Sequence, residues 1–227
     1  MTEAVSQQTG ADTATEYATI QFIVQSILSR VATATLVRVE SCTNAGGLSS
    51  WGTVNVQPII SQVSGNNVAV QHGKLFRLPY LRLQGGTNAV VLDPQVGDIG
   101  LAVFCTRDIS SLKKQGNIDQ IKAGNILGVP PGSGRQYNMA DGIYLGGMLN
   151  GVPSQFVRFS STGVEIVSPT KISLQAPEID LTASSKVVID SPANDIKGGG
   201  TKVDNKSFLS HTHGGVQSGG SNTGGVT

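Results

Sequence analysis

Two of the chain's three histidines, His211 and His213, stand one residue apart in Ser210-His211-Thr212-His213-Gly214-Gly215. On an extended strand, residues i and i+2 project from the same face, so both imidazoles can reach one metal ion. Two ligands do not close a site. Tetrahedral sites take about four ligands and octahedral ones about six, and after Cys105 the chain holds no other His or Cys. Three copies meeting at a threefold axis would supply an octahedral cage of six imidazoles. Imidazole suits iron, zinc, nickel and copper, so donor chemistry leaves the metal open. A His-x-His in a Gly- and Ser-rich tail is by itself more simply read as a solvated end. The segments before it decide.

Other groups with chemical potential have plainer readings. Asp93, Asp98 and Asp108 could be acid/base carboxylates, but Asp93-Pro94 and Gly97-Asp98-Ile99-Gly100 read as turns bounding a strand. No His or Ser near them follows a triad order. Gly198-Gly199-Gly200 lacks the Lys-Ser/Thr of a phosphate loop and reads as a corner. His72, before Gly73, reads as an exposed turn residue. Cys42 and Cys105 are too few for a disulfide framework and read as buried thiols.

The segment that must position the histidines is a repeat. From Phe156 onward, Val164-Glu165-Ile166, Ile172-Ser173-Leu174, Ile179-Asp180-Leu181 and Val187-Val188-Ile189 form in/out/in triplets at seven- to eight-residue intervals. Ser168-Pro169, Ala176-Pro177 and Ala183-Ser184-Ser185 lie between them and Ser191-Pro192 follows, so each unit is one strand and one corner. A single such chain cannot bury its inward Ile, Leu and Val, so the units must stack or intertwine. No aromatic residue occurs between Phe159 and Phe208, as expected of an interior too narrow for rings. Three intertwined chains of about six units each, with strands ~4.7 Å apart, would make a shaft on the order of 30 Å long.

Upstream, residues 1–12 carry almost no apolar pattern. Thr13-Ala14-Thr15-Glu16 fits a capping box, and Ile20, Val24, Ile27, Leu28 and Val31 then make one apolar stripe on a helix that packs on the next domain or a partner. From Ala32 to Arg107 the period becomes two. Strands are expected over 35–40, 53–58, 68–70, 81–83, 90–92 and 99–104, a set that suits a small OB-type barrel. Residues 108–155 read as a connector, with a helical turn over Ile109 to Lys114. The organisation is thus 1–31 N-terminus and helix, 32–107 OB-type β-barrel, 108–155 connector, 156–209 β-helix shaft, and 210–227 metal-binding apex and tail. The fold class is all-β: an N-terminal helix plus OB-type barrel, then a C-terminal β-helix or three-sided prism of stacked or intertwined units.

Composition narrows the partners. Sixteen basic against fifteen acidic residues give a net charge of +1, and no basic cluster exceeds Lys113-Lys114. Nucleic acid is therefore not expected as a partner. Trp51, Phe76, Tyr80 and Phe104 are scattered among few positive charges and read as core or interface, not as a base-stacking face. No apolar run reaches a membrane span, and the first thirty residues lack a signal-type block, so synthesis in the cytoplasm is expected.

The barrel, the shaft and the terminal His-x-His with its Gly-Gly-Val-Gln-Ser-Gly-Gly-Ser-Asn-Thr-Gly tail together resemble the central spike, or membrane-puncturing protein, of contractile phage tails and related particles. Asp93-Pro94-Gln95-Val96-Gly97-Asp98-Ile99-Gly100-Leu101-Ala102-Val103-Phe104, followed by Arg107-Asp108-Ile109-Ser110, looks like the barrel signature of that family. Ser210 to Gly224 is the more specific part. The resemblance implies a homotrimer whose C-terminal part is an intertwined trimeric β-helix (prism) with a metal-bound apex, placed in the virion tail baseplate, assembled in the host cytoplasm and held by baseplate hub and tail-tube proteins. It implies an iron ion at the trimer apex, one per trimer, in an octahedral six-His site of His211 and His213 from each chain. It also implies mechanical piercing of the host outer membrane on sheath contraction. The chain has no room for a fused lysozyme domain, so it is expected not to be an enzyme.

Two other readings compete. A glycan-degrading tail protein would present a carboxylate pair such as Glu165 and Asp180 on the β-helix, although the shaft offers no aromatic residue to stack a sugar. A receptor-binding tip would keep the histidine cage and recognise a host molecule with the surface around it.

Overall fold

The computed structural model describes residues 15–44, 46–49, 51–64, 68–197, 200–203 and 206–207. The chain divides into two compact units, Met1–Phe156 and Val157–Thr227. It is mostly β, with few helices. Among the described residues no helix is long and apolar enough to cross a membrane.

The first unit opens with α1 (Glu16–Leu28). Its N-cap is Thr15, whose hydroxyl accepts the Ala18 N–H at 3.1 Å, so the cap falls two residues later than the Thr13 box predicts. Thr15 has an extended backbone that points its hydroxyl at the free amides, and Glu16 then sits in the first turn, where its charge favours the helix dipole. The helix stops at Leu28 because its last turn tightens: Arg30 N–H bonds to the Ile27 carbonyl and Val31 N–H to that of Leu28. Val31 therefore leaves the stripe.

Strands follow in the order β1 (Ala34–Cys42), β2 (Thr53–Pro58), β3 (Gln62–Val63), β4 (Ala69–Val70), β5 (Leu75–Pro79), β6 (Leu83–Gly85), β7 (Asn88–Val90), β8 (Ile99–Phe104) and β9 (Gly142–Gly147). Five of them form one sheet, β5-β2-β1-β8-β9, antiparallel throughout. β3–β4 and β6–β7 are short separate hairpins. Period-two alternation decides the inner face: Val37 and Val39 of β1, Val54 and Val56 of β2, and Ala102 of β8 are buried with Leu78, Tyr80 and Tyr144.

Three bulges curl the sheet. One residue too many stands on β1 at Glu40, on β5 opposite Asn55, and on β9 at Leu145, and each extra residue bends its strand and increases its twist. On β5 the strain is explicit, since Arg77 takes φ 55° and its N–H is held by the Asn55 side chain at 2.9 Å. The outer strands thereby approach each other. Tyr80, just past β5, makes a parallel bridge to Tyr144 of β9, and Leu81 N–H donates to the Tyr144 carbonyl at 2.7 Å. The result is a curled half-barrel.

Several expected strands lie outside the main sheet. Residues 68–70 contribute only to the β3–β4 hairpin, 81–83 and 90–92 enter the outlying β6–β7 hairpin only at Leu83 and Val90, and β5 takes their place in the sheet. The fifth sheet strand, β9, comes from within 108–155, where none was expected. Its pairing depends on Gly100, where a Cβ would strike the Gly146 carbonyl oxygen and the Tyr144 hydroxyl. A second helix, α2 (Gln115–Lys122), and a 3₁₀ turn over Met139–Asp141 complete this unit. Cys42 and Cys105 are free and only half-buried.

The second unit contains the two-stranded pair β10 (Phe156–Ser160) and β11 (Gly163–Val167), then β12 (Lys202–Val203) against β13 (Lys206–Ser207). Arg158 and Glu165 form an ion pair at 2.7 Å. Residues 168–197 have no ladder within the chain. Ile172, Leu174, Ile179, Leu181, Val187 and Ile189, the apolar members of the triplets, are all exposed there.

Candidate functional site

The sequence places the candidate metal ligands, His211 and His213, just beyond β13. Both lie outside the described residues. The last described feature before them is the β12–β13 register, Lys202 opposite Ser207 and Val203 opposite Lys206. In sequence the two histidines are imidazoles at i and i+2, a donor type that suits a nitrogen-liganded transition ion. Among the described residues no three His, Cys, Asp or Glu side chains come together in a way that could hold a metal.

The acidic residues singled out in the sequence have structural partners. Asp98 accepts the Gln95 N–H at 2.8 Å across a turn in which Gly97 has φ 96°, as its turn reading requires. Asp93 does more than bound a turn. Its Oδ1 accepts from the Tyr80 hydroxyl at 2.5 Å and from Arg82 Nη2, and its Oδ2 accepts the Gly46 N–H at 2.8 Å. Arg82 also donates to the Ser49 carbonyl at 2.7 Å, and Asn44 donates to the Tyr80 hydroxyl at 2.8 Å. Arg82 and Asp93 are both buried. Burial pushes Asp93 upward, but the hydrogen bonds from Tyr80, Arg82 and Gly46 outweigh it and hold the carboxyl below its ordinary value. Burial and the Asp93 acceptor push the Tyr80 phenol up to about 12.

Asp108 heads a second cluster. It accepts from the Ser133 hydroxyl at 2.5 Å and the Ser110 N–H at 2.7 Å, and Arg135 bridges it at 3.1 Å to Asp141 at 3.0 Å. Bonds from Ser133 and Ser110, with the Arg135 charge, hold Asp108 well below the usual carboxylate range. Both clusters tie loops to the sheet, and their carboxylates are engaged by fixed donors. Sequence reading missed them because the partners come from separate loops, from eleven residues away for Arg82 and Asp93 to 47 for Gly46 and Asp93.

The carboxylates of the competing enzymatic reading are both on the second unit's surface. Glu165 is held by Arg158, while Asp180 stands exposed. His72 is half-buried: its carbonyl accepts from Gln57 at 2.8 Å, and its Nδ1 lies 3.0 Å from Gln62 Nε2. It borders a cavity of about 780 Å³ lined also by Arg30, Val63, Phe104 and Tyr137, with no carboxylate among its lining residues.

No curated protein matches the chain. A family model described as the GpV Apex motif matches residues 209–225, which include both histidines and most of the glycine-rich tail. That motif is a spike-tip motif that binds metal in related proteins. The match supports a phage central-spike family, a structural role in a phage tail spike or baseplate, and a place in the virion tail.

Proposed function

We propose that this chain is the homotrimeric central spike of a contractile phage tail, driven mechanically through the host outer membrane on sheath contraction. The observation that carries the proposal is the apex motif over 209–225, preceded by an extended segment whose regularly spaced aliphatic residues are exposed, without cover among the described residues. Exposed apolar surface on that scale marks an interface. Intertwining with two further copies would cover it and pair the backbone groups that have no intrachain ladder.

The strand order of the sheet, and the parallel approach of its outer strands at Tyr80 and Tyr144, favour the OB-type reading of the N-terminal unit. In this proposal that unit docks to the baseplate hub and tail tube, and residues 156–209 form the β-helical shaft. His211 and His213 of each chain supply six imidazoles to one iron ion at the tip. The ion supplies cohesion, tying down three chain ends that would otherwise fray. No catalytic residue is assigned.

Elemental analysis of the purified protein tests the tip. About one iron per three chains is expected. The double variant His211→Ala/His213→Ala should lose the metal and keep its assembly state, because the shaft is built from other residues. Retention of the full metal content by the double variant would remove these histidines from the site.

A further inference from the structure

The face that α1 turns outward is the more apolar one. Ala18, Thr19, Gln25 and Ser26, with Phe22, lie on the half-covered side, whereas Tyr17, Ile20, Val24, Ile27 and Leu28 project to solvent. Ile20 is 54% exposed and Ile27 60%. No residue of the helix is buried. A helix normally turns its apolar stripe toward the core, and this arrangement leaves the stripe without cover among the described residues.

The spacing says what covers it. Tyr17 and Val24 stand seven residues apart, as do Ile20 and Ile27, and the two pairs interleave at the 3-4 spacing of heptad positions a and d. The a position at residue 24 is β-branched, and both d positions are isoleucine. Isoleucine at d disfavours two-stranded packing and shifts preference to three or four strands. The seam carries no charge, and Glu16 at its edge is the helix's single charged residue.

We infer that α1 packs against the α1 helices of two other copies, closing the N-terminal end of the particle with a three-helix seam along Ile20, Val24 and Ile27. This inference rests on the trimeric reading above. Thirteen residues are too few for an isolated coiled coil. Helices tethered to one trimer, however, meet at an effective concentration in the millimolar range, so the pairing is an intramolecular one. The spike is then held together at both ends, by apolar packing at the start of the chain and by metal at its finish.

Disulfide trapping on the full-length chain tests it. Ile20→Cys occupies a d position and, under a thiol oxidant, should give covalently linked chain pairs, with a remainder unlinked because three thiols about one axis leave one without a partner. Gln25→Cys, on the opposite side of the helix, and the wild type with only Cys42 and Cys105 should stay unlinked. Absence of linkage in Ile20→Cys while the particle still weighs as a trimer overturns the seam without touching the spike assignment. Equal linkage of both variants also overturns it. A single-chain mass for the untreated protein overturns the trimeric reading and this inference together.

Discussion

Ile179→Asp is expected to abolish the trimer, while Asp180→Ala, at the next residue, leaves it intact. In one chain the two positions hardly differ, since Ile179 is 50% exposed and Asp180 beside it is exposed as well. A surface substitution of that kind changes stability by about 0.5 kcal/mol or less. Around a threefold shaft the inward Ile179 is repeated three times at one level, so the variant places three carboxylates in an apolar interior. Each loses its hydration without a partner, at several kcal/mol per ion, and the three repel one another. In the proposed trimer, folding of the shaft and assembly would be one event, so the loss would fall on the whole C-terminal unit. Light scattering and thermal melting of the two variants give the contrast. An Ile179→Asp protein that stays trimeric with unchanged melting would contradict the inward assignment and the shaft built on it.

Asp93→Ala should produce the largest effect in the N-terminal unit. It removes the acceptor of Arg82 and Tyr80 and leaves a guanidinium buried without its counter-charge. Breaking a buried pair from one side costs about 3–5 kcal/mol, a large share of the 5–15 kcal/mol typical of a whole domain. Replacing both partners with apolar residues, Arg82→Met with Asp93→Leu, should cost less than the single change. The same pair sets a pH dependence. The folded Asp93 carboxyl lies below its ordinary value of 3.8, so the unfolded chain takes up the proton more readily. Its stabilisation is therefore complete above that ordinary value and drains away as pH falls through the folded one. Asp108 acts in the same direction. Acid titration of the melting temperature checks this: the wild type should lose stability steeply below about pH 4, and Asp93→Ala should show a shallower slope.

Much of the sheet was legible because alternation of apolar and polar residues reports burial directly. β2 and β8 fall where Thr53-Val54-Asn55-Val56 and Ile99-Gly100-Leu101-Ala102 place them. The failures have physical causes. Leu81-Arg82-Leu83 alternates like a strand, yet Arg82 is the buried member and both leucines face solvent, because Asp93 pairs with the arginine from a loop eleven residues on. β5 was hidden by Pro79 and by the bulge that puts Arg77 at φ 55°. β9 was hidden by Gly142, Gly146 and Gly147, which read as loop; Gly142 passes close against the Phe104 ring, Gly146 takes φ 142°, and Gly147 leaves room for the Asn150 side chain. The opposite balance at 168–197 has its own cause: the described residues there form no ladder, and the regular spacing of Ile172 through Ile189 is legible in sequence because their proposed partners are other chains.

The measurement that bears most directly on the central claim is the mass of the native wild-type particle in solution, by sedimentation equilibrium over a wide concentration range. The account predicts one species at three times the 23.5 kDa chain mass, unchanged on dilution. A species of single-chain mass would contradict it, because the exposed aliphatic ladder would then have no partner and the two histidines no third and fourth ligand.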